Sequence, residues 1–203
     1  MADAPEGLRV LGGFRKGGRT ILILAPAEPR FWAVFTASPE YADGRPDPMN
    51  RWSERVIGAF AAREGGEASF PFGGPPWHPF LRWAAATGRA FESPVGLLVD
   101  GEAGLWTSMR GAVALPGERP VPEGVGSPCP PCPKPCLTAC PVDALNAGGY
   151  DVPRCLDYVR SPEGSDCRTR GCAVRHACPV SQQWHRPDAQ AAFHMRAFAG
   201  EAS

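Results

Sequence analysis

Residues 129–142 read CPPCPKPCLTACPV, four cysteines spaced C-x2-C-x3-C-x3-C-P. Three thiolates this close can curl around one inorganic core, while the fourth, at the start of the next element, points away toward a second. Pro141 then removes a backbone N–H and turns the chain off the site. Downstream, Cys155 stands alone in RCLDYV, and Cys167, Cys172 and Cys178 follow as C-x4-C-x5-C-P. The tetrapeptide ACPV at Ala139–Val142 returns at Ala177–Val180, the mark of a duplicated half-module. All eight cysteines lie between Cys129 and Cys178, and the 128 residues before them hold none. This division separates two modules, residues 1–120 and 121–203.

The bacterial ferredoxin run is C-x2-C-x2-C-x3-C-P, so this chain carries one extra residue between its second and third cysteines. In two-cluster ferredoxins the fourth cysteine of each half serves the other half's cluster. On that pattern one 4Fe–4S cluster takes Cys129, Cys132, Cys136 and Cys178. A second takes Cys140, Cys155, Cys167 and Cys172, and no cysteine is left over. Two four-cysteine zinc sites would use the same eight thiolates, but zinc favours paired C-x2-C knuckles and only Cys129 and Cys132 form one. Disulfides need an oxidising compartment. Residues 1–19 contain no apolar leader, so a cytoplasmic location with reduced thiols is expected. The first apolar run, Ile21–Leu24, is too short to span a bilayer, and no membrane association is expected.

At these residues the sequence resembles the iron–sulfur half of epoxyqueuosine reductase and, more distantly, that of the corrinoid-dependent reductive dehalogenases. The run ending in CPVDAL, the lone cysteine of RCLDYV and the closing C-P carry the likeness. The upstream segment SPVGLLVDGEAGLWTSMRGAVAL, residues 93–115, also looks like the one preceding the clusters in that superfamily. The resemblance covers Ser93 to Val180. It implies an α+β protein, in which an N-terminal mixed α/β, flavin-reductase-like domain precedes a small dicluster ferredoxin-like domain. In that family the first domain holds a cobalamin reduced through the clusters, so cobalamin or flavin is the further cofactor implied here. The family's second run is tighter, C-x2-C-x3-C-P. This chain also ends soon after its second C-P, without the helical-repeat tail of a tRNA-acting relative. The resemblance therefore carries the two clusters and the general fold, and not the substrate.

The N-terminal module reads as mixed α and β. Leu8–Leu11, Thr20–Ala25 and Phe31–Phe35 read as strands, with Gly17-Gly18 as the turn between the first two. Asn50 to Arg63 reads as a helix with Trp52, Val56, Ile57 and Phe60 on one face. Phe80–Thr87 reads as another helix, and Pro94–Val99 and Gly111–Leu115 as buried strands. Residues 116–128, PGERPVPEGVGSP, sustain neither helix nor sheet and read as a linker. The cysteine module has few apolar residues, and a core that small usually needs a covalent or metal staple. Asp188–Ala199 reads as a terminal helix docked on the first module.

Basic and acidic residues balance at 21 each, so no global charge draws the chain to nucleic acid, and a tRNA partner is disfavoured without being eliminated. His78, in PPWHPF, is the residue singled out as a cobalt or flavin contact. A packed histidine in a Pro-rich turn is the plainer alternative. Tyr41, Glu92 and Asp100 are proton-donor candidates that no spacing selects. His176 and His185 flank the last cysteines, but eight thiols leave no vacancy for them. Gly12-Gly13 and Gly17-Gly18 lack the pattern of a phosphate loop.

Three functions are therefore in play. The first is an electron-transfer protein carrying two 4Fe–4S clusters and meeting a redox partner protein. The second is a corrinoid- or flavin-dependent oxidoreductase acting on a small molecule. The third is a zinc- or cobalamin-handling protein without redox chemistry.

Overall fold

The computed structural model describes residues 3–200. They form a mixture of helices and small antiparallel sheets, consistent with the α+β class. The chain divides into two compact units that interleave along the sequence. One holds the residues up to Phe91 together with Ser108–Gly126. The other holds Glu92–Thr107 together with the chain from Ser127 onward. A single boundary at residue 120 is thus replaced by an excursion, because residues 92–107 bond within the cysteine unit. The Leu105 N–H donates to Ser181 Oγ at 2.8 Å, and Arg175 donates to the Leu105 carbonyl. Ala103 and Trp106 pack against Ala191.

The elements before the cysteines run β1 (Leu8–Lys16), β2 (Arg19–Pro26), α1 (Arg30–Thr36), α2 (Pro39–Ala42), α3 (Pro48–Arg63), β3 (Glu67–Ser69) and α4 (Phe80–Ala86). Then come β4 (Ala90–Glu92), β5 (Leu98–Asp100) and β6 (Gly111–Pro116). The first unit is built on a sheet of order β1-β2-β6-β3, antiparallel throughout. Strand β2 lies inside the sheet, and its residues from Thr20 to Pro26 are all buried. That explains a continuous apolar run where a half-solvated strand would alternate. Lys16 pairs with Arg19 across Gly17-Gly18, both at positive φ, which a two-residue hairpin turn requires.

Phe31–Phe35, expected as a strand, is helix α1. Phe31 and Phe35 stand one turn apart, so a helix puts both rings on one face. Both are fully buried and meet Trp52 of α3 edge-on, at 5.5 and 6.0 Å between ring centroids. A strand would have turned alternate residues outward. The expected strand over Pro94–Val99 is shorter. A tight turn occupies Ser93–Gly96, and β5 begins only at Leu98. Beyond Pro116, which ends β6, residues 117–128 form no regular element, but the stretch up to Gly126 is laid down on the first unit instead of hanging free. Arg89 donates to the Glu123 carbonyl at 2.9 Å, and the Val125 N–H donates to the Gly88 carbonyl at 2.9 Å.

The cysteine unit continues with a 3-10 turn (Pro135–Leu137) and the hairpin β7 (Leu145–Asn146) to β8 (Gly149–Tyr150). Helices α5 (Val152–Arg160), α6 (Ser165–Arg170), α7 (Ala173–Ala177), α8 (Pro179–Gln182) and α9 (Asp188–Ala199) follow. Helix α9 has the expected bounds but packs inside the cysteine unit, where its Ala199 joins Val159 and Cys167 in one buried cluster. Arg160 also donates to the Ala199 carbonyl at 2.7 Å. Among the described residues no helix is long and apolar enough to cross a membrane.

One buried carboxylate ties α2 to α3. Glu40 is 8 % exposed, and the Arg55 guanidinium donates to both of its oxygens, one of them at 2.9 Å. The bond to Arg55 holds the Glu40 carboxyl below its usual 4.5. A carboxyl depressed on folding stabilises the folded chain above that value and stops doing so as pH falls through the folded one. The Arg55 side is half open to water, which screens the pair. Glu40→Gln is therefore expected to cost about 1 kcal/mol near neutral pH, with the gap closing well below pH 4.5. Denaturant midpoints measured at neutral and strongly acid pH check this.

Candidate functional site

All eight cysteines are free thiols, and they gather in two sets of four. Cys129, Cys132, Cys136 and Cys178 line one small recess. Ser93, Pro94, Val99, Leu105, Pro135 and Pro179 supply most of the remaining wall, so the thiols face a surface otherwise largely apolar. Cys140, Cys155, Cys167 and Cys172 form the other set. Cys155 lies within electrostatic reach of Cys172 and Cys140, and Cys167 within reach of Cys172, Cys155 and Cys140. Each half of the cysteine region thus places its C-P cysteine among the thiols of the other. Among the described residues, no three His, Cys, Asp or Glu side chains come close enough together to hold a single metal ion.

The first set is shaped by its proline-rich loop. Ser127 Oγ accepts the Cys129 N–H at 3.3 Å, and the Cys132 N–H donates to the Cys129 carbonyl at 3.2 Å. Lys134 takes a left-handed conformation, φ 58°, and its N–H donates to Cys132 Sγ at 3.3 Å. The 3-10 turn then buries Cys136. Pro at 130, 131, 133 and 135 cannot donate, so the loop forms no ladder and keeps its few N–H groups for sulfur and carbonyl. Cys178 arrives in an extended conformation between α7 and α8, with Pro179 opening α8.

Gly104 controls that arrival. It sits at φ +58°, and a Cβ there would lie 2.5 Å from Ser181 N and 3.0 Å from Cys178 Sγ. Ser181 Oγ accepts the Leu105 N–H and donates to the Ala103 carbonyl at 3.3 Å. Asp100 fixes the turn from below. It accepts the N–H groups of Glu102 and Ala103 and the Thr107 hydroxyl, each at 2.7 Å.

In the second set, the Ala144 N–H donates to Cys140 Sγ at 3.2 Å. Cys155 lies on α5, Cys167 on α6, and Cys172 precedes α7. The Tyr150 side chain acts on Cys155 to lower its pKa, against the larger upward push of burial. Arg175 is half-buried near Cys172 and Tyr150, and desolvation lowers its pKa. Burial is also the main cause that pushes the Cys129, Cys136, Cys155 and Cys167 thiols up.

The structure places the remaining sequence candidates as follows. His78 is exposed in the first unit, its ring 5.3 Å from that of Trp83. Tyr41 packs on Trp32 and Phe35, and Asp100 is the turn-former described above. Glu92 is exposed. His176 sits edge-on to Trp106 at 4.9 Å, its Nε2 2.7 Å from the Arg170 carbonyl. Sequence reasoning missed Ser93, Gly104, Tyr150, Arg175 and Ser181. Ser93 and Gly104 lie in the segment quoted for its likeness, but nothing in spacing ties them to cysteines so far along the chain. No protein-family model, curated protein or solved structure matches the chain.

Gly104→Ala is expected to lower the unfolding free energy by roughly 1–3 kcal/mol, from the positive φ and the clash at Ser181. Gly101→Ala adds a methyl that meets nothing within 4 Å and serves as the near-neutral control. Denaturant titration of the two variants side by side checks the difference.

Proposed function

We propose that this chain is an iron–sulfur electron-transfer protein holding two 4Fe–4S clusters in a dicluster ferredoxin-like unit. The observation that carries the reading is the sorting of eight free thiols into two interleaved sets of four. A cubane takes its four thiolates at its corners, so its ligands ring a space instead of meeting at a point. The recess bounded by Cys129, Cys132, Cys136 and Cys178 has that character. Soft donors, backbone N–H groups already aimed at Cys132 and Cys140 sulfur, and a buried Ser93 hydroxyl without a partner on the recess wall all suit such a group.

When bound, such a cluster supplies a one-electron couple. The chain's own residues do the rest. The proline-rich loop fixes three thiols, Gly104 and Ser181 bring the fourth, and apolar Val99, Leu105 and Pro135 keep water off. The likeness to the epoxyqueuosine reductase iron–sulfur half rests on the same cysteines and points the same way.

The test is anaerobic purification followed by iron, sulfide, zinc and cobalt analysis. About eight iron and eight sulfide per chain, with broad absorbance near ~400 nm, are expected. Two zinc ions per chain and no colour would overturn the proposal. Distinct corrin or flavin bands beside the clusters would favour a reductase. The interleaving has its own signature. Cys132→Ser and Cys178→Ser should each lose about half the iron, and the double variant no more than either alone. Cys140→Ser combined with Cys132→Ser should lose nearly all of it.

A further inference from the structure

Ser93 opens the tight turn Ser93–Gly96. Its N–H donates to the Leu97 carbonyl at 2.9 Å, and its carbonyl accepts the Gly96 N–H at 2.9 Å. Both backbone groups are thus satisfied inside the turn. The side chain is not. Ser93 is 6 % exposed, and its Oγ is buried with no hydrogen-bond partner. A buried hydroxyl left unpaired costs on the order of 1–3 kcal/mol, so an orphan of this kind calls for an acceptor. Ser93 lines the recess shared by Cys129, Cys132, Cys136 and Cys178. Apart from those thiols and the exposed Lys134, the other side chains of that wall are apolar: Pro94, Val99, Leu105, Pro135 and Pro179. Sulfur is therefore the acceptor the recess offers.

We propose that the Ser93 hydroxyl donates a hydrogen bond to a sulfur of the cluster held by Cys129, Cys132, Cys136 and Cys178, and so raises that cluster's reduction potential. The inference rests on the iron–sulfur reading above and deepens it. Reduction adds one electron, whose charge spreads onto the sulfurs, and no proton changes hands. A donor aimed at sulfur stabilises the reduced form more than the oxidised one, which makes the cluster easier to reduce. Ser93 is a positioning residue in this role, since it binds no iron.

The experiment uses the full-length protein loaded with iron and sulfide, titrated with a low-potential viologen dye as the electron donor. Ser93→Ala should keep the wild-type iron content. One of its two potentials should fall by a three- to tenfold change in the reduction equilibrium, up to about 59 mV for one electron. Pulsed electron paramagnetic resonance in heavy water should lose one exchangeable-deuteron coupling to the reduced cluster. Ser93→Thr, which keeps the hydroxyl, should retain both the potential and the coupling. Unchanged potentials in Ser93→Ala, or equal shifts in Ala and Thr, would overturn the proposal. If Ser93→Ala sheds the cluster, retention in Ser93→Thr upholds it and loss in both refutes it. Failure of the iron–sulfur reading would show earlier, as wild-type protein without iron, and would take this inference with it.

Discussion

The recess of the cysteine unit is complete only when Cys178 comes back to the loop that carries Cys129, Cys132 and Cys136. That return depends on one close approach, the Gly104 backbone against Ser181 and the Cys178 sulfur. A side chain at Gly104 would occupy the space the sulfur needs, and a residue unable to take positive φ would redirect the turn that Asp100 holds. The hydrogen bond from Leu105 to Ser181 then fixes the start of α8 at the depth where Cys178 faces its three companions. The placement of Cys178 is thus set by Ser181 close by in the chain and by Gly104 far from it in sequence.

Two of the buried apolar clusters in the unit around those thiols are small: Ala103, Trp106 and Ala191 in one, Val159, Cys167 and Ala199 in the other. Cysteine is itself part of the second cluster. In the proposed reading, binding free energy at the sulfurs is folding free energy for this unit. The first unit needs no such help. Its sheet buries a continuous strand, and Phe31, Phe35 and Trp52 close over one another in an aromatic core.

Much of this was legible in the sequence. The spacing of the cysteines and the repeated ACPV were enough to sort the eight thiols into the sets the structure brings together. Helical periodicity located α3 and α9, and a glycine pair located the first hairpin. The misses have physical causes. Phe31–Phe35 is a short apolar run, and five residues do not distinguish one helical turn from a strand until Trp52 is known to lie opposite. The chain from Pro116 to Gly126 has the composition of a linker, yet carbonyl groups at Gly88 and Glu123 hold it through bonds that no side-chain pattern announces. Helix α9 has only a fair apolar face, so its docking partner could not be read from its own residues. Ser93 and Gly104 escaped because their importance is a matter of proximity in space, to sulfur atoms contributed by a later part of the chain.

The interleaving of the two units constrains how the protein is made and inherited. Glu92–Thr107 belongs to the cysteine unit, yet β6, an inner strand of the other unit's sheet, is translated after it. During synthesis the first sheet cannot finish until the ribosome has passed this excursion, while the excursion itself waits for residues not yet polymerised. A cut after Gly126 keeps the first unit whole but takes Glu92–Thr107 from the cysteine unit, and a cut before Glu92 keeps the cysteine unit whole but takes Ser108–Gly126 from the first. A genetic exchange that traded one half for a foreign domain at a single breakpoint would therefore carry a segment of the other half away with it.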